Sequence, residues 1–233
     1  MSEFRLPYPA SVIAGKACLS AEDLSTLRRT LFPHGLRTYN DAITLLALNI
    51  TCPKKCDEWP GYFLEAMTDF VVRYSYPPNA LDDVNVAWLI RMLSSDGAVR
   101  SALELELVLS IIDASGNVPP ELSVFALEQL RIALTDGTGA YRQARPIHRQ
   151  GVTVHDLAFI RFVLRTAYDH GQLALTRLEI AVLERIDQAT LPGENHPDWA
   201  PFIAGIRPRR GDDGRDWRWL RVPDAMFRRD AVA

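Results

Sequence analysis

Two carboxylates flank a predicted turn and could bind a divalent cation. Asp96 lies in an Asp-Gly turn, and Glu104 follows in the first turn of the next predicted helix. At about 100° per residue, Glu104 falls among apolar positions, where an unpaired charge would cost several kcal/mol. Its partner is either the free N–H groups at the start of that helix or a cation, whose preferred ligands are oxygens. Asp96 and Glu104 are therefore the candidate metal ligands.

The second candidate site combines cysteine and histidine. Cys52 and Cys56 have a C-x3-C spacing that could supply two zinc ligands, and Cys18 and His34 are available to complete the set. Structural zinc sites usually have two tight pairs of ligands, whereas this chain has one. Small residues in a turn are the favoured interpretation. Cys56 and His34 would form a nucleophilic pair only if the fold brings them together.

Cations are concentrated in the segment 135–151, which has three glycines and no helical period. Arg142, Arg145, His148 and Arg149 are predicted to present positive charge there on a long loop. Loops of this length are often functional, although a charged, solvated connector between two halves is the commoner explanation. The segment lacks the G-x-x-x-x-G-K-[ST] pattern of a phosphate-binding loop.

The elements that would position these residues are helices that begin with a capping box. In this motif a Ser or Thr oxygen accepts a hydrogen bond from the backbone three residues later, and the acid there bonds back. The chain has five such pairs: Ser20/Asp23, Thr38/Asp41, Ser101/Glu104, Thr153/Asp156 and Thr176/Glu179. A glycine shortly precedes each of the last four pairs, namely Gly35, Gly97, Gly151 and Gly171. The pattern predicts a repeated unit of helix, glycine turn and capped helix.

Two tryptophans give further support to an internal repeat. Trp59 follows Asp41 by 18 residues, and Trp199 follows Glu179 by 20 residues. Since the same cap and the same aromatic marker occur towards both ends of the chain, we predict that these copies are related by duplication.

Composition limits the classes of protein to which the chain can belong. Its 233 residues are 48% hydrophobic, enough to bury a sizeable core in one domain or in two packed halves. The net charge of −3 argues against general nucleic-acid binding. We expect neither a secretory signal nor a membrane span, because no basic start precedes an apolar run and no long apolar stretch occurs. Three cysteines suit a reducing cytoplasm.

The chain is predicted to have three regions: an N-terminal arm at 1–19, a helical domain at 20–206 in two related halves (20–135 and 152–206), and a tail at 207–233. The arm would lie on the surface or pack as an irregular strap. The tail holds eight Arg and five Asp. It either folds back onto the acidic body or binds a protein partner through Trp217, Arg218 and Trp219, residue types that often anchor interfaces.

The stretch from Ser95 to Leu107, SDGAVRSALELEL, resembles the tellurite-resistance TerB-like family, with weaker echoes over about 20–190. The resemblance implies an all-helical stress protein, cytoplasmic or peripheral to the membrane. It also implies divalent cations bound by acids at such turns, here Asp96 and Glu104. Calcium loops of the EF-hand type are excluded, because the acids do not fall at the ligand positions of that loop.

We therefore predict a compact all-α bundle of about nine helices built from repeated capped helix pairs. The function expected first is that of a non-enzymatic, TerB-like cytoplasmic protein, an interaction module in stress response or regulation. The alternatives are a divalent-metal-binding protein, which makes such a cation the one cofactor suggested, and a hydrolase. The hydrolase has little support, since G-x-S-x-G, H-E-x-x-H and dinucleotide-binding patterns do not occur.

Overall fold

The capped helices expected from the sequence are present in the computed structural model, which describes residues 5–78, 81–94, 96–145, 150–169 and 172–208. Within these residues the fold is all-α, with eleven α-helices. No helix in this part of the chain is both long enough and apolar enough to cross a membrane. The residues Trp217, Arg218 and Trp219 of the tail, and His148 and Arg149, lie outside the described residues.

In chain order, the α-helices are α1 Ala10–Ala14, α2 Ala21–Thr26, α3 Tyr39–Thr51, α4 Trp59–Asp69, α5 Asp83–Leu93, α6 Ala102–Ala114, α7 Pro120–Thr135, α8 Gly139–Ala144, α9 Val154–Val163, α10 Arg177–Ala189 and α11 Trp199–Ala204. Two of these helices continue as π-helices, in which the turn is wider by one residue. Helix α2 continues into π1, Leu27–Leu31, and α4 continues into π2, Phe70–Tyr74.

All five predicted capping boxes are confirmed. At α6, Glu104 N donates to Ser101 Oγ at 3.3 Å, and Ser101 N donates to Glu104 Oε2 at 3.1 Å. Gly35 and Gly97 have φ angles of 73° and 86°, in the left-handed region that favours glycine. The local sequence therefore determines where these helices begin and how the chain enters two of them.

The helices are joined in two places by short strands. Strand β1, Cys18–Leu19, pairs in parallel with β2, Lys54–Lys55. Strand β3, Tyr168–Asp169, pairs antiparallel with β4, Gln172–Leu175, and β4 pairs in parallel with β5, Arg207–Pro208. The first pair ties the segment before α2 to the segment before α4. The second set ties the segment before α10 to the segment after α11.

Helix α7 occupies the centre of the fold. It packs against α5, α6, α8, α9 and α10, and its buried side chains include Leu122, Phe125, Leu127 and Leu130. Because α9 and α10 belong to the second predicted half, the two halves share one hydrophobic core.

The two helices beyond the predicted nine are both short. Helix α1 lies in the predicted arm, and its residues Ala10 and Ile13 are buried in the core, so this part of the arm is packed and helical. Helix α8 lies in the segment expected to be an irregular loop, and its residues Ala140 and Tyr141 are buried. A helix of five or six residues is too short for an apolar period to appear in the sequence.

Candidate functional site

The turn that carries Asp96 is held by an amide side chain from α7. Gln129 accepts a hydrogen bond from Val99 N at 2.8 Å and donates one to Gly97 O at 2.8 Å. Glu104 is 2% exposed and completes its capping box, which is the first of the two partners that the sequence allowed. Among the described residues, no group of three or more His, Cys, Asp or Glu side chains is placed to hold a metal ion. Metal binding by Asp96 and Glu104 stays a prediction.

The cysteines do not converge with His34 on a metal site in the part of the chain that the structure describes. Cys52 is buried, and its thiol donates to Ile13 O at 3.4 Å. Cys18 is exposed and Cys56 is partly buried. These thiols therefore lie in or beside the turn that joins α3 to α4, which agrees with the favoured interpretation of small turn residues.

Arg145 is buried in an ion pair, so the prediction that it lies on an exposed loop is wrong. Its Nε and Nη2 atoms donate to Asp156 Oδ1 at 3.0 Å and Oδ2 at 2.6 Å, and Nη2 also donates to Gly151 O at 2.7 Å. Tyr141 donates to Asp156 Oδ1 at 3.0 Å, and burial together with this carboxylate raises the pKa of Tyr141. Because the capping acid of α9 is in the core, it needs a cation beside it. The network joins α8 to α9 and is structural.

A cleft of about 360 Å³ lies between the two helices that end in π-helix. Its volume is within the range of small-molecule sites in proteins. The lining comes from π1, the turn after π1, α4 and π2, and consists of Arg28, Phe32, His34, Gly35, Leu36, Tyr62, Glu65, Ala66, Asp69 and Tyr74. Of the residues singled out from the sequence for chemistry, His34 alone is in this lining.

Both long helices widen where they border this cleft. At the end of π1, Phe32 N donates to Leu27 O at 2.8 Å, and at the end of π2, Ser75 N donates to Phe70 O at 2.7 Å. Each bond spans five residues, in place of the four of an α-helix. Single π-helical turns are uncommon and often occur at functional sites. Because two π-helices border this one cleft, its walls differ in shape from those that two regular α-helices would form.

Two arginine–tyrosine pairs connect the sides of the cleft. The Arg28 guanidinium lies 4.7 Å from the ring centre of Tyr62, and the Arg37 guanidinium lies 3.9 Å from that of Tyr74. Cation–π contacts of this kind contribute about 0.5–1 kcal/mol each at exposed positions. The first pair joins π1 to α4, and the second joins the turn after π1 to π2, so both walls are positioned relative to each other.

Tyr62, one of the residues that line this cleft, has a buried hydroxyl with no hydrogen-bond partner in the described structure. The residue is 8% exposed. Burial raises the pKa of Tyr62 to about 12; nearby Arg28 opposes this effect and Glu65 adds to it. The hydroxyl therefore stays protonated and can donate a hydrogen bond. Buried polar groups nearly always have partners, so this hydroxyl, which is shielded from solvent, lowers the stability of the fold.

We expect the substitution Tyr62→Phe to raise the free energy of unfolding of the ligand-free protein by about 1–3 kcal/mol, the cost of burying an unsatisfied hydroxyl. Urea unfolding followed by circular dichroism would measure the change. The matched control is Tyr168→Phe, which alters a half-exposed tyrosine on β3 and should change stability by less than about 0.5 kcal/mol. A loss of stability in Tyr62→Phe would mean that the hydroxyl has a partner within the protein.

Comparison with models of known protein families gave no match, and no curated protein or solved structure matched the chain either. The resemblance to the TerB-like family stays a prediction from the residues of the turn and the cap. The cleft is accordingly defined by its own geometry, and its interpretation rests on its volume and on the two π-helices that border it.

Proposed function

We propose that this protein is a non-enzymatic, TerB-like cytoplasmic module that acts in regulation or stress response, and that it binds a small molecule in the cleft between π1 and π2. The observation that carries the proposal is the cleft of about 360 Å³ itself, which two π-helices border. A molecule that binds the folded protein and not the unfolded chain stabilises the folded state. Ligand binding would therefore stabilise this part of the fold.

The lining of the cleft supports binding without chemistry. Among the described residues that form the lining, there is no cysteine, serine or threonine that could act as a nucleophile, and the one histidine, His34, is exposed. An activated nucleophile requires a base within hydrogen-bond reach. The apolar residues Phe32, Leu36 and Ala66 lie beside charged ones, and this mixture of apolar walls and few polar groups is typical of ligand sites.

The test is to fill the cleft. Ala66 is half-buried on α4 and lines the cleft, so Ala66→Leu should occupy ligand space and cost little helix propensity. The wild-type protein would be screened by thermal unfolding against amino acids, organic acids, nucleotides, sugar phosphates and polyamines. We expect at least one class to raise the melting temperature and Ala66→Leu to abolish that rise.

The control for this screen is Ala158→Leu, which adds the same side chain to an exposed position on α9. It should respond to the active compounds as the wild type does. If no class stabilises the wild type, or if Ala66→Leu and the wild type respond equally, the cleft is not a ligand site and the proposal is wrong.

A further inference from the structure

We infer that a second copy of this chain binds to the outer side of α5, with the two α5 helices antiparallel across a two-fold axis. This surface, the α5 face, is formed by Asp83, Val84, Ala87, Trp88 and Arg91. None of these residues belongs to the cleft lining, so the inference goes beyond the proposed ligand site and does not depend on it.

The middle of the α5 face is apolar. Val84 is 69% exposed, Ala87 is exposed, and Trp88 is half-buried with its ring against those of Tyr39 and Phe70. At about 100° per residue, the first three side chains lie on the side of the helix away from its buried residues. Because positions three and four apart are neighbours on a helix, they form one continuous patch. Such patches often mark a contact with another protein.

Opposite charges lie at the two ends of the α5 face. Asp83 is in the first turn of the helix and Arg91 is in the last, and both are exposed. Neither has an ion-pair partner among the described side chains. Each is four residues from Ala87, which is about 6 Å along the helix axis. In an antiparallel pair that crosses at Ala87, Asp83 of each copy therefore lies opposite Arg91 of the other.

The same alignment brings the apolar residues of the two copies together. The small side chain of Ala87 at the crossing point lets the helix axes approach to about 8–10 Å. Val84 of each copy then lies within about 3 Å, measured along the axis, of Trp88 of the other, so both side chains lose contact with water. A parallel pair would place Asp83 against Asp83 and Arg91 against Arg91, and the repulsion between like charges favours the antiparallel pair.

The exposed side of α9 has apolar residues too, but its charges do not fit a second copy. Val154 and Ala158 are exposed there, and the exposed ionisable residues of this helix are His155 and Arg161. Neither can carry a negative charge, so a copy of α9 would bring cations against cations. Of these two surfaces, the α5 face is the one that is complementary to itself.

A contact between two α5 helices is small. The helix has 11 residues and is about 16 Å long. Interfaces that bury less than about 1,200 Å² in total usually belong to weak or transient complexes. We therefore expect a reversible dimer with a dissociation constant between about 10 μM and 1 mM.

Sedimentation equilibrium of the full chain over about 10 μM to 1 mM tests the inference. We expect the average mass to rise with concentration from that of one chain towards that of two. Val84→Ser should weaken the association at least about tenfold, because each dimer loses two valines from its contact. The matched control is Val154→Ser, which makes the same change at a 52% exposed valine on α9 and should associate as the wild type does.

Charge reversal tests the antiparallel alignment. Asp83→Arg and Arg91→Asp should each weaken self-association about fivefold or more, because both ion pairs across the contact become repulsive. An equal mixture of the two variants should associate more tightly than either alone, because opposite charges then meet at both ends. Arg161→Asp, at an exposed arginine in the last turn of α9, is the control and should leave the association unchanged. All these positions are exposed, so melting followed by circular dichroism should show folded variants.

The mass of a single chain at every concentration would overturn the inference. So would a dimer that Val84→Ser leaves unchanged, since it would use another surface. If the mixture of the two charge variants associates no better than each variant alone, the antiparallel contact is wrong.

Discussion

Asp156→Ala is expected to lower the free energy of unfolding by about 3–5 kcal/mol, because it leaves the Arg145 cation buried without its anion. The two side chains are 1% and 0% exposed, and the arginine donates hydrogen bonds from both Nε and Nη2 to the carboxylate. Asp156 also accepts from Thr153 N at 2.7 Å as the acid of the α9 capping box. The substitution therefore removes a helix cap as well as an ion pair.

Urea unfolding of the wild type and of Asp156→Ala would measure this loss. The matched control is Asp41→Ala, which removes the acid of the α3 capping box at a partly exposed site with no described arginine side chain paired to it. We expect it to cost about 1 kcal/mol, the usual value of a cap. Similar losses for the two variants would show that the buried pair contributes nothing beyond the cap.

The stability change caused by a second substitution, Arg145→Met, tests whether Arg145 and Asp156 are energetically coupled. Arg145→Met alone should destabilise the protein, because it leaves the Asp156 carboxylate buried without its cation. In the Asp156→Ala background, the same change should stabilise the protein, because it removes a buried cation that has lost the Asp156 carboxylate. Such a reversal is expected only for residues that interact directly. If the two effects simply add, the pair is not energetically coupled.

Trp59→Ala and Trp199→Ala are each expected to cost about 3–5 kcal/mol, as large-to-small changes at buried aromatic residues. The two side chains are 0% and 1% exposed. Trp59 Nε1 donates to Asn49 at 3.1 Å, and Trp199 Nε1 donates to Asp187 at 2.7 Å. Each acceptor is the eighth residue after the acid of its capping box. The shared arrangement agrees with the predicted duplication.

Replacing each tryptophan with phenylalanine, a milder change, should affect stability differently at the two positions. Trp59→Phe leaves the buried Asn49 without its donor and should cost about 1–3 kcal/mol beyond the packing change. Trp199→Phe leaves Asp187, which is exposed, in contact with water and should cost less. Urea unfolding curves for the four variants would measure these differences. A neutral effect of Trp59→Phe would mean that the indole hydrogen bond does not stabilise the fold.

Features that depend on residues close together in the chain could be predicted from the sequence. A capping box joins residues three apart, so Ser101 and Glu104 contain all the information that the motif needs, and the burial of Glu104 follows from its place on the helix. Arg145 could not be placed in this way. Its partner Asp156 is eleven residues away, and Gly151 and the polar residues between them predict a loop.

The candidate site was beyond sequence reasoning for a similar reason. Its walls come from residues 28–36 and 62–74, which are distant in the chain, and no motif in either stretch indicates that they meet. The π-helices shift hydrogen bonds by one residue without changing the apolar pattern enough to be recognised. Nothing in the stretch EWPGYFLEA sets Tyr62 apart from the other aromatic residues of its helix. That its hydroxyl lacks a partner depends on the packing around it.

The central position of α7 has a consequence for the origin of the chain. This helix is covered on one side by α9 and α10, so a fragment lacking them would expose a broad apolar surface to water, and such surfaces promote association. If the chain arose from a shorter ancestor, that ancestor would have needed another molecule of itself to shield this surface. Self-association would then have come before the fusion that placed both partners in a single gene.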